Sequence, residues 1–233
     1  MELVIGNNIP SFFSSSWLIY MTNQGNQDPK TANVNPVMSE VTLSLAQRLT
    51  NIGYPALFKE TGYEHSLDEI WKSASQQDFE RLVGDTKAPS LARFLSSQIL
   101  LSKDMTFFSR IDLNSLTDVY IQALLGNYTK SMSDWGFLHR NDDMGAVGSV
   151  FLVFGERSIP KLVNLLGDGT VVDYERTSPD ASGFDQTMMQ KVRVKDFAAL
   201  YLSKIKNIPL ELKIAFDKRD REIIRLKKKL SLK

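Results

Sequence analysis

The chain has two histidines, and they are the first candidates for acid–base or metal chemistry. His65 follows Glu64 and has no second histidine at the spacing of a zinc site, so a surface or capping role is expected. His139 precedes Asp142 and Asp143, so an imidazole and two carboxylates lie close together in sequence. Such groups can transfer protons in hydrolysis. The favoured alternative places both aspartates in the first turn of a helix, where they complement its dipole.

Other chemistry-bearing patterns are missing from the sequence. The absence of cysteine excludes thiol catalysis, thiolate metal sites and disulfides. Gly145-x-x-Gly148 lacks both the preceding strand and the third glycine of a dinucleotide-binding fingerprint, so these glycines are expected to allow close helix packing. No P-loop, Gly-x-Ser-x-Gly or EF-hand pattern occurs. The sequence therefore predicts no cofactor and no metal site, and it leans against an enzyme.

Charge is unevenly distributed along the chain. The formal total is +1, which argues against non-specific binding to nucleic acid. Residues 217–233 contain eight Lys or Arg and three Asp or Glu, a local charge of +5 that leaves −4 for the rest. This basic helix can bind an anionic surface. The favoured interpretation is a closing cap, with Ile223, Leu226 and Leu230 inward and Lys227, Lys228 and Lys229 in water.

Helix start and stop signals predict the elements that position these groups. Asn35-Pro36, Pro89, Asp112 and Ser158 precede apolar residues at helical spacing, and Gly53, Gly126, Gly155 and Gly167 end such runs. Further helices are expected at about 191–206 and from about residue 217. Strand-like alternation is confined to 170–172 and 191–194. The predicted fold class is all-α, with residues 1–35 as an irregular segment and 36–233 as one domain.

Residues 169–190 form an insertion between two predicted helices. Long insertions of this kind are often functional, although they are also tolerated as passive surface loops because they affect stability little. The segment mixes acidic residues with aromatic and arginine side chains, which are typical of binding hot spots. The candidate partner-binding residues are Asp173, Tyr174, Glu175, Arg176 and Phe184.

A short phrase occurs twice and suggests a repeat. Leu82-Val83-Gly84-Asp85 and Leu165-Leu166-Gly167-Asp168 each precede a helix with small residues in its first inward turn. The second copy, with Val192-Arg193 and Ala198-Ala199, resembles HEAT-type repeats over residues 155–205, and residues 60–99 do so more weakly. The resemblance implies stacked helical hairpins, with Asp168 and Arg193 in a ladder between repeats. The insertion at 169–190 departs from the family pattern.

These features favour a non-enzymatic protein-binding or adaptor module, one form of which is a bacterial inhibitor or immunity-type protein. The alternative is a hydrolase-type enzyme with a site near His139, Asp142 and Asp143. No membrane-spanning run is found, and a protein partner is expected rather than nucleic acid. The cytoplasm is slightly favoured as the location. Residues 9–21 resemble the apolar part of a secretory leader, although no basic residues precede them. A clipped secretory or lipoprotein leader is therefore the alternative to a cytoplasmic location.

Overall fold

The computed structural model describes residues 40–58, 67–104, 106–126, 134–136, 138, 144–176, 189–211 and 215–231, with the backbone alone for 173–176, 189–190 and 231. Helices dominate these residues, which confirms the all-α class. The helices are α1 Glu40–Leu57, α2 Leu67–Lys72, α3 Gln76–Gly84, α4 Ser90–Lys103, α5 Leu113–Gly126, α6 Gly145–Phe154, α7 Ile159–Asn164, α8 Val194–Ile205 and α9 Phe216–Ser231. Two strands, β1 Val171–Arg176 and β2 Met189–Arg193, lie between α7 and α8.

The helices form a stack in which neighbours in sequence pack on each other. Contacts join α3 to α4, α4 to α5, α5 to α6, α7 to α8 and α8 to α9, while α1 packs on α4. Their buried faces supply one continuous core of aliphatic and aromatic side chains. Such stacking is compatible with a helical-repeat arrangement. Among the described residues, none of the helices is long and apolar enough to cross a bilayer.

Several helix boundaries follow from the predicted local signals. The carboxylate of Asp112 accepts from the amides of Asn114 and Ser115 at 2.9 and 3.4 Å, as expected for the cap of α5. Gly53, with φ of 75°, ends the regular part of α1, and the chain then resumes helical turns to Leu57. The predicted cap at Ser158 was wrong in its bonding. Its hydroxyl donates to the carbonyl of Gly155 at 2.7 Å instead of accepting from the helix.

Capping boxes concern the starts of α2 and α3. Ser66 and Glu69 have the spacing of a capping box before α2, but Ser66 lies outside the described residues. A capping box does begin α3, where the Asp78 amide donates to Ser75 Oγ at 3.2 Å and the Ser75 amide donates to Asp78 Oδ2 at 3.1 Å. The expected starts at Asn35 and at Asp142 or Asp143 also fall outside the described residues.

The repeated Gly-Asp phrase builds the same turn twice. Asp85 ends α3 with φ and ψ of −79° and 104°, and Asp168 follows the turn after α7 with −81° and 109°. Each carboxylate accepts from the amide two residues later, that of Lys87 at 2.8 Å and that of Thr170 at 2.9 Å. The two similar sequences therefore give similar backbone turns, although the first is followed by a helix and the second by strand β1.

The insertion does not form an irregular loop at its two ends. Residues 171–176 pair with 189–193 as an antiparallel hairpin, and α8 begins at Val194. The prediction of a helix from about Lys191 was therefore wrong at its start, because 191–193 are extended and hydrogen-bonded to β1. Val172 and Val192 are buried in the core, which accounts for their extended, β-branched pattern.

Close packing between α6 and α8 depends on Gly148. A Cβ atom at this position would lie 2.5 Å from Cε1 of Tyr201. The ring of Tyr201 is buried there and lies 5.4 Å from that of Phe151, and its hydroxyl donates to the carbonyl of Leu138 at 3.0 Å. Gly148 thus allows two helices to approach closely, in agreement with the prediction for this glycine.

Candidate protein-interaction site

The hairpin is the feature that departs most from the helical stack, and its ladder is well defined. Opposite residues run from Val171 and Arg193 at the root to Arg176 and Met189 at the far end. A bulge at Val172 places two residues of β1 against one of β2. At the root, the Val194 amide donates to the carbonyl of Thr170 at 2.8 Å. The first turn of α8 therefore continues directly from the hairpin.

A buried carboxylate holds this root in place. Asp196, in the first turn of α8, is fully buried. Its Oδ2 accepts from the amide and Nε of Arg193, both at 3.0 Å, and its Oδ1 accepts from Arg193 Nη2 at 2.8 Å. Oδ2 also accepts from Nη1 of Arg219 at 2.9 Å. One aspartate thus joins the end of β2, the start of α8 and the first turns of α9.

A second carboxylate extends the network toward solvent. Asp220 accepts from Arg193 Nη2 and from Lys195 Nζ, both at 2.9 Å. Burial alone would raise the pKa of Asp220, but the hydrogen bonds from Lys195 and Arg193 lower it below the ordinary aspartate value. Burial alone would lower the pKa of Arg193, and its hydrogen bonds to Asp196 and Asp220 raise it instead. Both partners are therefore held in their charged forms.

We call these five residues, Arg193, Lys195, Asp196, Arg219 and Asp220, the ion cluster. Arg219 has 1% of its surface exposed and also donates to the carbonyl of Lys191 at 2.8 Å. The ring of Phe216 lies 4.4 Å from Cζ of Arg193 and 5.3 Å from Cζ of Arg219. Helix α9 is consequently joined to β2 by a backbone acceptor, by ion pairs and by cation–π contacts.

Burial makes the ion cluster energetically demanding. Removing one partner of a buried ion pair leaves an uncompensated charge and typically destabilises a protein by about 3–5 kcal/mol. Asp196 and Arg219, which are almost fully buried, are therefore each needed to compensate the charge of the other. The effect is to fix the root of the hairpin against α8 and α9, so that the strands leave the stack from a defined position.

The structure places four of the five predicted binding residues on one strand. Asp173, Tyr174, Glu175 and Arg176 form the outer part of β1, beyond the bulge. Phe184 lies outside the described residues, as do His139, Asp142 and Asp143 of the alternative enzymatic site. The four β1 residues thus lie in one extended segment, which continues from the end of the hairpin that Arg193 and Asp196 hold against α8.

Arg193 does not make the ladder that the repeat resemblance implies. In the described part of the chain its ion-pair partners are Asp196 and Asp220, while the carboxylate of Asp168 accepts from the Thr170 amide. The insertion explains this difference, because it makes residue 193 the end of a strand instead of the first residue after a tight turn. Asp168 nevertheless contacts the next helix through its carbonyl, which accepts from the Lys195 amide at 3.0 Å.

The sequence analysis singled out Arg193 alone and missed the other four members of the ion cluster: Lys195, Asp196, Arg219 and Asp220. Asp196 stands three residues after Arg193, which is the spacing of a capping box, but arginine is not a usual first member of that motif. Arg219 and Asp220 were assigned only to a basic helix. Their pairing partners lie more than twenty residues away, and no local signal links the two segments.

The described residues also bear on metal binding and on hydrolysis. In that part of the chain no group of three or more His, Asp or Glu side chains is placed to hold a metal ion. A groove of about 320 Å³ lies at the start of α1, and Glu40 is the one carboxylate among the side chains that line it. That groove does not bring together the paired carboxylates that hydrolysis commonly uses.

Comparisons with models of protein families, with curated proteins and with solved structures found no match to this chain.

Proposed function

We propose that this chain is a non-enzymatic protein-binding module that holds its partner through the outer part of the β1–β2 hairpin. The observation that carries the proposal is the ion cluster. It fixes the hairpin root against α8 and α9 through buried charges, at the point where the insertion enters the helical stack. A fixed root lowers the entropy lost when a projecting segment binds.

The residue types of the segment support a protein as the partner. Tyr174 and Arg176 belong to the types enriched at binding hot spots, and they alternate along β1 with Asp173 and Glu175. Such a mixture of an aromatic group with charges of both signs favours a protein surface over a uniformly charged polymer. Phe184 supplies a further aromatic side chain between the two strands in sequence.

We also infer that the stack belongs to the HEAT-like class of helical repeats. The two matching Gly-Asp turns support this inference, and the partners of Arg193 weaken it. A repeat stack is a common scaffold for adaptors, since its surface is extended and its loops vary independently. An inhibitor or immunity-type protein, whose hairpin occupies a site on a toxin or enzyme, is one concrete form of the proposal.

Site-specific photo-crosslinking tests the proposal in the native source. Tyr174 is replaced by a photo-reactive phenylalanine analogue, and the same analogue replaces the exposed Val163 of α7 as the control. The proposal expects a discrete protein adduct at position 174 that is absent at position 163. Adducts of equal yield at both positions would indicate non-specific capture and would count against a hairpin site.

The captured protein is then purified and its affinity measured by calorimetry against a shortened hairpin. Replacing 177–188 with Asn-Gly keeps the Arg176–Met189 pair and closes the strands with a two-residue turn. We expect unchanged helicity and melting temperature, with affinity reduced at least about tenfold for the hairpin variant and for Tyr174→Ala. Undiminished affinity of both variants would refute recognition by the hairpin.

A further inference from the structure

Helix α9 has two faces with different roles, and the inward one is fully engaged. Arg219, Ile223 and Leu226 are buried against the rest of the stack. Residues three and four apart share a helix face, so the opposite face contains Arg221, Ile224, Arg225 and Lys228, all of them exposed. This second set is the outward face.

The outward face and its borders carry a surplus of cations. Two of the arginines have weak, exposed partners on the same helix: Arg221 with Asp217 at 3.0 Å and Arg225 with Glu222 at 3.5 Å. Exposed pairs of this kind contribute about 0–1 kcal/mol, so they yield readily to a competing carboxylate. Among the described residues of α9, the cations without a carboxylate within ion-pair distance are Lys218, Lys228 and Lys229.

We propose that the outward face of α9 is a docking surface for an acidic segment of a protein, one with an apolar side chain among its carboxylates. This inference is independent of the hairpin, since it concerns a different surface. Charge complementarity carries it. The α9 region holds a charge of +5 on a chain whose remainder is −4. An acidic segment that follows the helix finds cations at intervals of one turn.

The other anionic partners fit the same surface less well. A membrane would require apolar area to insert, and Ile224, 53% exposed, is the one aliphatic side chain of the outward face. The helix has 16 residues and is about 24 Å long, so a long nucleic acid would extend beyond it. It would then lie against the rest of the chain, whose net negative charge repels phosphates. A short acidic peptide remains within the cationic stretch, and Ile224 gives its apolar residue a contact.

The test is fluorescence anisotropy with a labelled peptide of about twelve residues, Asp and Glu around one central Leu, titrated with the full chain at low salt. The variant Arg221→Glu/Arg225→Glu/Lys228→Glu reverses three outward charges. Its matched control, Lys72→Glu/Lys87→Glu/Arg157→Glu, changes the net charge equally at three other exposed cations. Circular dichroism and melting temperature check that both variants keep their fold.

We expect the peptide to bind the unmodified chain in a salt-dependent manner, with affinity reduced at least about tenfold in the α9 variant and at most about threefold in the control. A peptide with Ala in place of Leu should bind more weakly. No binding at low salt, equal losses in both variants, or tighter binding of a single-stranded RNA or of phosphatidylserine vesicles would each overturn the proposal. The Asn-Gly hairpin variant should bind the peptide normally, which separates this result from failure of the hairpin proposal.

Discussion

Replacing Asp196 with alanine removes the carboxylate at the centre of the ion cluster. Asp196 is fully buried and accepts four hydrogen bonds from Arg193 and Arg219, between 2.8 and 3.0 Å. Its loss removes the carboxylate oxygen that accepts from Arg219 Nη1 at 2.9 Å, while the guanidinium of Arg219 stays buried, with 1% of the residue exposed. From the behaviour of broken buried ion pairs, we expect the free energy of unfolding to fall by about 3–5 kcal/mol.

Urea unfolding followed by circular dichroism measures this change. The control is Asp118→Ala, which removes an exposed carboxylate paired with Lys161 and should lower the free energy of unfolding by less than about 1 kcal/mol. Restoring neutrality provides a second check. Asp196→Leu combined with Arg219→Met should recover much of the lost stability, because an apolar pair of similar size can replace a buried ion pair. If Asp196→Ala were no worse than the control, the cluster would not fix the hairpin root.

Three further expectations rest on separate contacts. Gly148→Ala should lower the free energy of unfolding by about 1–3 kcal/mol, because the added Cβ atom would meet the ring of Tyr201. Gly167→Ala is the control and should change the free energy of unfolding little, since Gly167 has open space around it. Thermal melts compare the two variants. Leu202→Ala should destabilise by about 2–5 kcal/mol, since Leu202 is fully buried, and a neutral result in urea would contradict the packing of α8. Asp220 has a lowered pKa in the folded chain, so its contribution is present above the unfolded value of about 3.9 and is lost as the pH falls through the folded pKa. Asp220→Asn should therefore flatten the acid side of the stability–pH profile, and an unchanged profile would count against the ion pairs.

Local signals in the sequence were enough to predict the helical class and several boundaries. Asp112 caps its helix as the spacing indicated, and the two Gly-Asp phrases give nearly identical turns. These features depend on residues at most four positions apart, so a linear sequence contains all the information that they need.

The hairpin was not predictable by the same means. Its two strand candidates, 170–172 and 191–194, were each too short to be assigned, and neither shows that it pairs with the other. The two strands pair across the intervening residues, and this contact is not local in sequence. Because of it, residues 191–193 are extended, and α8 begins at Val194 instead of at about Lys191 as predicted. The structure also places Val172 in the core, so the insertion is not dispensable throughout. Any shortening has to begin after Arg176.

The ion cluster shows why the two interpretations of the basic C-terminal helix are compatible. As a cap, α9 buries Ile223 and Leu226 and leaves Lys227 and Lys228 exposed, as predicted, whereas Lys229 and Leu230 are both half-buried. A helix has a second face, however, and the cap uses only Arg219 among the cations in its buried interior. Arg221, Arg225 and Lys228 lie on the exposed outward face, where they can contact another surface.

The position of Arg219 also limits how that second role can be studied. Because Arg219 donates to the Lys191 carbonyl and to Asp196, deletion of α9 would expose the hairpin root together with the core. A truncated chain that lost binding would then say nothing about which surface had been responsible. Charge reversal at Arg221, Arg225 and Lys228 changes the outward face alone, since the inward contacts of α9 run through other side chains. Only substitutions of this kind can separate docking on the basic helix from recognition by the hairpin.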